Sequence, residues 1–407
     1  MIRSKLINKK YNHRDLSFIS FQGVREGVPK GLARAIIPIL ESTQFKDSNP
    51  IYYVSFLSGY SGNLNIREAS IIYKVLNKIF LLFNRYFMKL EYYKIRLIQE
   101  IMFDFFLSLR IKKGCTIVST AHLYRTTLKN KKLGGQNILF ISNPDDYALY
   151  NLLTEEKKQH NVKFTDPYTY RKRIAFSLKS TRSFDQIICI SSTVFDSFKF
   201  RIPSTKLSCA FYDIIPNNLF FSNTKVKKHK NLTFVYIGHS VWLKGITYLL
   251  EAWEKIDSSD AQLLIAGSIN SEVNDYIKLH FNNLKNISFV GHLKNPNEFY
   301  RKAHVFISPS LLDAHPVTIA EAMYCGLPVI VSDGCGSKTL VENNVNGFIV
   351  PSGNSMVIKS KIEWFIKNQN SIEIMGKNAF NTIINRSEGN QNEKVAKHIR
   401  SIIDNQI

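Results

Sequence analysis

The sequence predicts an α/β protein built from two doubly wound, Rossmann-like parallel-sheet domains. Three observations support this fold class: a length of 407 residues, an apolar fraction of 44%, and short apolar runs that alternate with longer helical patterns. A chain of this length ordinarily forms more than one domain. Continuously apolar runs are typical of parallel strands that helices cover on both faces.

Ten apolar runs are the predicted strands, five in each half of the chain. They are residues 16–21, 51–56, 115–120, 137–142 and 186–191, then 232–237, 261–267, 287–292, 304–310 and 327–333. The polar, basic stretch 214–231 contains Pro216 and is typical of a linker. We therefore predict domains at 1–218 and 219–385, followed by a helical segment at 386–407.

Positive charge is concentrated in the first half. The formal net charge is +22; residues 1–218 carry 34 Lys and Arg against 16 Asp and Glu, and residues 219–407 carry 20 against 16. Such a field attracts nucleic acid or an acidic membrane face, although solubilising lysines are the ordinary alternative. Since no nucleic-acid-binding motif is present, we expect no nucleic acid partner.

The remaining composition indicates a metal-free protein of a reducing compartment. The five cysteines are scattered without metal-ligand spacing, as core residues are. NPDDY, residues 143–147, is interpreted as a turn and helix cap. The first residues lack the apolar core of a signal peptide, and no apolar run reaches the roughly 20 residues that span a bilayer. We expect a cytoplasmic protein.

The stretch SLLDAHPVTIAEAMYCGLPVIVSDG, residues 310–334, places two carboxylates beside the start of a short helix. Pro316 suits the first helical turn and Gly326 suits a left-handed C-cap, which predicts the helix VTIAEAMYC. Asp313 then precedes the helix, and Glu321 lies in its second turn. The start of a helix binds anions, and carboxylates on either side of it can accept hydrogen bonds from hydroxyl groups. A nucleotide sugar offers both kinds of group, a diphosphate between a sugar and a ribose. The ordinary alternative is that Asp313 caps the helix and Glu321 is a solvated surface residue.

A second candidate phosphate element is FVYIGHSVWLKGITYLLEAWEKI, residues 234–256. The pattern predicts a strand, a glycine-containing turn and an amphipathic helix. Lys244 stands at the turn, where an ammonium group can meet phosphate as a point charge. In contrast, GCGSKT, residues 334–339, lacks the spacing of a phosphate loop and is expected to open the next helix.

From Val235 to about Ser352 these elements resemble, in order, the nucleotide-sugar-binding domain of the retaining GT-B glycosyltransferases (glycosyltransferase family 4, the group 1 transferases). The matching segments are YIGHSVWLKG (236–245), LLIAGS (263–268), ISFVGHLKNPNEFYRKAHVFISPS (287–310), Asp313–Glu321 at the family's E-x7-E motif, AMYCGLPVI, and NGFIVP (346–351). In the first half, FDQIICISS...IIPNN (184–218) and TIVSTAHLY (116–124) carry a weaker resemblance. The resemblance implies two domains facing a cleft, with the last helix returning to the first domain.

The resemblance also implies a reaction. A sugar would move from a nucleoside diphosphate sugar to a glycan acceptor with retention at the anomeric carbon, and without metal or cofactor. Lys244 and backbone N–H groups around His315 to Val317 would hold the diphosphate. Glu321 would accept from the ribose hydroxyls.

The implied catalytic residues are Asp313, which would orient the sugar ring, Glu321, and His122, which would face the acceptor. The implied donor-binding residues are Gly238, His239, Lys244, Ala314, His315, Pro316, Val317 and Glu321, with Gly23 and Gly27 in a loop near the phosphates.

Three positions depart from the family's pattern. His239 stands where an arginine usually completes a phosphate clamp, and histidine is often uncharged at neutral pH. Asp313 replaces the first glutamate and reaches one methylene less far. The loop at residues 21–35 keeps Gly23 and Gly27 but not the family's paired glycines.

Residues 71–113 combine apolar, aromatic and basic residues in a helical pattern. Steps of 4 and 7 residues relate Lys74, Lys78, Arg85, Lys89 and Arg96. On a continuous helix they form one basic stripe beside an apolar face. Such a helix suits a membrane interface, although a core helix with a solvated face gives the same pattern. We therefore expect a lipid-linked acceptor and an anionic membrane surface as partners of the basic first domain.

The combined prediction is a glycosyltransferase of bacterial surface polysaccharide synthesis (capsule, O-antigen or similar), peripheral on the inner face of the cell membrane. The alternatives are a nucleic-acid-binding protein, from charge alone; a degenerate, non-catalytic GT-B partner, from His239 and Asp313; and a GT-B epimerase or phosphorylase. The sugar, the base, the acceptor, the linkage and the oligomeric state are not determined by the sequence.

Overall fold

The chain divides into two compact units. The first comprises Met1–Thr154, Thr165–Tyr212 and Gln391–Ile407, and the second comprises Glu155–Phe164 and Asp213–Asn390. The computed structural model describes residues 16–21, 24–25, 28–29, 33–46, 48–58, 62–211, 231–257, 259–281, 284–387 and 390–405. The predicted boundary between residues 218 and 219, and the glycines Gly23 and Gly27, lie outside the described residues.

The first unit is built on a parallel sheet. Its strands are β1 (Leu16–Ser20), β4 (Ile51–Val54), β5 (Ile66–Glu68), β6 (Thr116–Ser119), β7 (Gln136–Ile141), β8 (Gln186–Cys189) and β9 (Leu207–Cys209), beside the short antiparallel pair β2 (Val24–Arg25) and β3 (Val28–Pro29). The seven parallel strands lie in the order β5-β4-β1-β6-β7-β8-β9. Apolar side chains of β1, β6 and β7 are buried on both faces of the sheet.

Within the described residues of this unit, seven helices connect the strands. They are α1 (Ala33–Leu40), α2 (Ile71–Phe83), α3 (Tyr92–Arg110), α4 (Tyr124–Lys132), α5 (Asp146–Gln159), α6 (Arg171–Thr181) and α7 (Ser192–Lys199). Ser191 caps α7 by accepting a hydrogen bond from the backbone N–H of Val194. The last five residues of α5 group with the second unit.

The second unit contains a six-stranded parallel sheet. Its strands are β10 (Leu232–Ile237), β11 (Ala261–Ala266), β12 (Ile287–Gly291), β13 (Val305–Ser308), β14 (Val329–Ser332) and β15 (Gly347–Val350), in the order β12-β11-β10-β13-β14-β15. Its helices are α8 (Ile246–Glu254), α9 (Ser271–His280), α10 (Pro296–Lys302), α11 (Val317–Tyr324), α12 (Ser355–Lys367) and α13 (Asn370–Ser387). The core lies between β10, β13 and β14 on one side and α11 and α13 on the other.

The last helix, α14 (Gln391–Asp404), groups with the first unit. The carboxylate of Glu393 accepts hydrogen bonds from the backbone N–H of Thr43 at 3.2 Å and from Nε2 of Gln44 at 2.8 Å. The buried side chains Val395, Ala396, Ile399 and Ile403 form the apolar face of this helix.

The predicted fold class is confirmed: both units are doubly wound parallel sheets. All ten predicted strands are present, most of them one or two residues shorter than their apolar runs. Three parallel strands were missed, β5, β9 and β15, because they have only three or four residues each. No helix within the described residues is long and apolar enough to cross a membrane.

The continuous helix expected within residues 71–113 is wrong. Helix α2 ends in a π-helical turn, Asn84–Met88, and Lys89 then takes up a left-handed conformation with φ 46°. The chain reverses into α3. The basic stripe is consequently broken, and two of its members form ion pairs instead, Lys74 with Glu68 at 2.7 Å and Arg96 with Glu100 at 2.7 Å.

Candidate active site

The predicted donor-binding residues lie at the topological switch point of the second sheet. Strands β10 and β13 are neighbours, yet their onward connections lead to opposite edges of the sheet. Loops that leave the carboxyl ends of two such strands diverge and open a crevice, where doubly wound sheets bind ligands. The loop after β10 carries Gly238, His239 and Lys244, and the loop after β13 carries Asp313.

The turn that carries Lys244 is tightly held. Residues Trp242–Lys244 form a single 3-10 turn, and Gly245 follows with φ 64°. A Cβ atom at Gly245 would lie 2.1 Å from the carbonyl oxygen of Pro309, so the backbone approach requires glycine. The N–H of Leu311 donates to the carbonyl oxygen of Leu243 at 2.8 Å. The two loops of the crevice are thereby joined.

Lys244 forms an ion pair with Asp313 across the crevice, with Nζ donating to Oδ2. The lysine side chain is 31% exposed and the aspartate side chain 15% exposed. Burial by itself would lower the pKa of Lys244, but the Asp313 carboxylate outweighs burial and the pKa is raised. Lys244 therefore keeps its positive charge at neutral pH.

Asp313 is fixed through its backbone. Its N–H donates to the carbonyl oxygen of Gly334 at 3.0 Å, and its own carbonyl oxygen accepts from the N–H of Gly336 at 2.8 Å. The segment GCGSKT opens a 3-10 helix, Gly336–Leu340, as predicted for a helix start rather than a phosphate loop.

Glu321 lies on α11, five residues into the helix. Its Oε2 accepts a hydrogen bond from the hydroxyl of the buried Tyr300 at 2.9 Å. Burial raises the pKa of Glu321 by more than the hydrogen bond from Tyr300 lowers it, so the pKa lies above its ordinary value. The helix ends as the sequence predicts, since Gly326 has φ 74°. Pro316 occupies the N-cap position instead of the first helical turn.

The other predicted donor-binding residues frame the same crevice. His239 is exposed, and its Nδ1 lies 2.6 Å from Oγ of Ser268. Ala314 and His315 are buried in the loop that leads to Val317, the first residue of α11. Gly238 allows close packing, because a Cβ atom there would lie 2.9 Å from the hydroxyl of Tyr236.

Tyr236 was missed by the sequence reasoning. Its ring is fully buried on β10, and burial raises its pKa to about 12 while Lys244 lowers it. The hydroxyl is therefore a neutral dipole beside the Lys244–Asp313 pair. No periodicity distinguishes this tyrosine from an ordinary core aromatic.

His122 lies in the first unit, three residues beyond the end of β6. Strands β1 and β6 form the switch point of that sheet. His122 lines a polar pocket there with Arg96, Glu100, Asp146 and Arg173. Its Nε2 lies 3.2 Å from Oγ of Ser177, and its buried Nδ1 makes no hydrogen bond within the described part of the chain.

Asp146 is the residue of this pocket that sequence reasoning placed in a turn and helix cap. It begins α5, and its carboxylate lies 3.3 Å from Nη1 of Arg173 and 3.5 Å from Nε2 of His122. Burial would raise the pKa of Asp146, but Arg173, His122 and Ser177 together outweigh burial and hold the pKa well below its ordinary value. Arg173 also binds Glu100 at 3.2 Å. The arrangement offers charged and neutral polar groups that suit hydroxyl-rich ligands.

A buried cluster behind the Lys244 turn was also missed. Glu156, from the end of α5, accepts hydrogen bonds from Nε1 of Trp242 at 3.1 Å and from the hydroxyl of Tyr248 at 3.0 Å. His160 lies between the hydroxyls of Tyr248 and Tyr276, at 3.0 Å from each. Since Trp242 and Lys244 share one turn, this cluster holds the turn that presents the lysine.

Among the residues that the structure describes, no group of three or more His, Cys, Asp or Glu side chains is arranged to hold a metal ion. Metal independence and the roles assigned to the site residues stay predictions.

Comparisons with known proteins bear on the sequence family and on the fold. The family model "Glycosyl transferases group 1" matches residues 219–382. The capsular polysaccharide biosynthesis glycosyltransferase CapM of Staphylococcus aureus is 27% identical over 194 residues, which are 46% of this chain and 47% of that protein. The UDP-Gal:alpha-D-GlcNAc-diphosphoundecaprenol alpha-1,3-galactosyltransferase of Escherichia coli is 25% identical over 256 residues, 59% of this chain and 64% of that protein.

Both alignments span less than two thirds of the relative's own length. Among solved structures, Anabaena HepE in complex with UDP superimposes with a TM-score of 0.64 at 15% identity, covering 96% of this chain and 100% of that one. That likeness shows the GT-B fold. The residues that match the group 1 family model lie within the second unit and make up less than half of the chain.

Proposed function

We propose that the protein is a retaining glycosyltransferase that moves a sugar from a nucleoside diphosphate sugar to a lipid-linked glycan acceptor in bacterial surface polysaccharide synthesis. The carrying observation is the Lys244–Asp313 pair at the switch point between β10 and β13, beside the start of α11. The pair places two groups in one crevice: the positively charged ammonium of Lys244, and a carboxylate that can accept hydrogen bonds from hydroxyl groups.

In this proposal Lys244 neutralises the diphosphate and stabilises the charge that develops on it as the glycosidic bond breaks. Asp313 accepts from sugar hydroxyls and orients the ring. Glu321 accepts from the ribose, with Tyr300 fixing its carboxylate. His239 gives weaker phosphate binding than arginine would, because its Nδ1 is engaged with Ser268.

The acceptor side of the proposal rests on the first unit. The relative from Escherichia coli is named for a diphosphoundecaprenol-linked acceptor, which is a lipid-linked glycan. The pocket around His122 and Asp146 offers hydrogen-bonding groups suited to a sugar acceptor. The net charge of residues 1–218 favours an anionic membrane surface. We accordingly place the protein on the inner face of the cell membrane, with no nucleic acid partner.

A thermal-shift panel of nucleoside diphosphate sugars tests the donor site. We expect one donor to raise the melting temperature of the wild type but not that of Glu321→Ala. We expect EDTA to leave the shift of the wild type unchanged. Because Glu321 is a partly buried carboxylate, Glu363→Ala on α12, where the side chain is 36% exposed, provides the matched control.

Absence of a shift with every donor would contradict the proposal and favour the non-catalytic GT-B partner. A donor that acts equally on the wild type and on Glu321→Ala would remove Glu321 from the site. A shift that disappears with EDTA would contradict metal independence.

A further inference from the structure

Helices α2 and α3 form an antiparallel hairpin whose base is anchored in the first unit. Tyr73 packs edge-on against Phe103 with ring centroids 5.7 Å apart, and Nε2 of Gln99 donates to Oδ1 of Asn77 at 3.0 Å. Nε of Arg110 donates to the carbonyl oxygen of Ala69 at 3.1 Å. The pairing of these residues places the reversal of the chain near residues 88–89.

The end of the hairpin, residues 79–92, is a largely apolar tip. Asn84 is its one buried residue: its Oδ1 accepts from the N–H of Leu90 and its carbonyl oxygen accepts from the N–H of Lys89, both at 2.8 Å. At 1.5 Å per residue, the tip extends about 16 Å beyond the Asn77–Gln99 hydrogen bond.

Large apolar side chains of the tip face solvent. Phe87 is 73% exposed, Tyr86 65% and Phe83 49%, and Phe83 stacks on Phe87 with centroids 4.9 Å apart. Further exposed members are Ile79, Leu81, Leu82, Met88 and Tyr92. A monomeric soluble protein rarely exposes so continuous an apolar surface without a binding role.

The charges of the hairpin identify the occupant. Residues 71–92 contain four cations, Lys74, Lys78, Arg85 and Lys89, and one acidic residue, Glu91. Two copies of the tip would bring like charges together, whereas an anionic lipid headgroup layer would neutralise them. The apolar side chains point to several sides of the tip rather than to one face, which suits a fluid acyl layer. Tyrosines at the rim suit the bilayer interface.

We propose that the α2–α3 hairpin is a membrane-insertion element, whose aromatic tip enters the acyl boundary of an anionic bilayer while Lys78, Arg85 and Lys89 bind headgroups. An amphipathic element typically enters the headgroup and acyl boundary by about 5–10 Å, which the length of the tip allows. This inference deepens the proposed membrane partnership and rests on it. The proposed membrane partnership requires only electrostatic attraction to the surface, whereas this inference adds insertion of apolar side chains into the bilayer.

Vesicle flotation with the full-length protein tests the inference. The vesicles are phosphatidylcholine with about a third phosphatidylglycerol, and binding is measured in low salt and in about 1 M NaCl, where the Debye length is about 3 Å. We expect the wild type to float in both conditions. Phe83→Ser/Tyr86→Ser/Phe87→Ser is expected to lower the partition coefficient on the order of 30-fold in both. Phe200→Ser, at a site 90% exposed in the same unit, is the matched control.

A second variant separates charge from insertion. Lys78→Gln/Arg85→Gln/Lys89→Gln should lose the low-salt advantage and keep the binding that remains in high salt. Unchanged melting temperatures verify that both triple variants fold, as exposed positions allow.

Three results would overturn the inference: a wild type that does not float, a tip variant that floats as the wild type does, or a lipid-free dimer in sedimentation that the tip variant abolishes. Donor binding is measured separately without lipid, so failure of the sugar-transfer proposal is distinguishable from failure of the insertion element.

Discussion

Replacement of Glu156 by alanine probes the cluster behind the Lys244 turn. The carboxylate is buried and accepts from Trp242 and Tyr248. The variant leaves the indole N–H without an acceptor, while the Tyr248 hydroxyl retains Nε2 of His160 at 3.0 Å. A hydrogen bond to a charged group contributes about 1.5–3 kcal/mol, and a buried donor without a partner costs about 1–3 kcal/mol. We expect Glu156→Ala to lower the free energy of unfolding of the second unit by about 3–4 kcal/mol.

Tryptophan fluorescence during urea unfolding is the assay. All three tryptophans, Trp242, Trp253 and Trp364, lie in the second unit, so the signal reports on that unit alone. The exposed neighbour Glu155 provides the matched control, and Glu155→Ala should change the free energy of unfolding by less than about 0.5 kcal/mol. A loss below about 1 kcal/mol for Glu156→Ala would refute the reasoning.

The same variant tests whether the cluster positions Lys244. The affinities of the variant for UDP and for uridine are compared by calorimetry well below the melting temperature. If the cluster holds the turn, the ratio of the UDP affinity to the uridine affinity falls, because only UDP carries the phosphates that Lys244 is proposed to bind. A purely global loss of stability would leave the ratio unchanged.

Other predictions concern the site directly. Lys244→Ala should lower the affinity for UDP by about 10–100-fold with little change for uridine, while the free energy of unfolding changes by at most about 1 kcal/mol, since the pair with Asp313 is partly solvated. Gly245→Ala should destabilise the second unit by about 2–4 kcal/mol in urea unfolding, because its φ is 64° and a Cβ atom would meet Pro309; an unchanged midpoint would contradict that backbone assignment. Burial raises the pKa of Glu321 above its ordinary 4.5 in the folded state. The proton on Glu321 therefore stabilises the fold below pH 4.5, and this contribution is lost as pH rises through the folded-state pKa. Thermal unfolding across that window should be less pH-dependent in Glu321→Gln than in the wild type.

The strands and the motif-bearing loops could be predicted from the sequence. β10 was predicted with the bounds that the structure shows, 232–237, because a strand buried on both faces is mostly apolar along its length. Lys244 and Asp313 were each placed after a predicted strand, but their pairing was not predicted, because it depends on β10 and β13 being neighbours in the sheet. Gly326 ended its helix as a left-handed cap because only glycine adopts that conformation without strain.

The hairpin at residues 71–113 was mispredicted because the reversal at Lys89 has no glycine or proline signal. Its conformation depends on Asn84, which binds the turn, and on the contact between Tyr73 and Phe103. The helical pattern of apolar residues is a local property of the sequence. It can therefore continue through a position where packing against distant residues makes the chain reverse.

By itself, the sequence determined the fold class, the order of the strands along the chain and the loops that carry the predicted donor-binding residues, since each depends on local patterns of burial and backbone conformation. Only the tertiary structure decided which distant side chains meet. Trp242 reaches Glu156 across 86 residues, and Arg173 reaches Asp146 across 27. On their own helices and turns these residues carry no distinguishing pattern, because buried polar contacts are set by the sheet order, which brings the strand ends together.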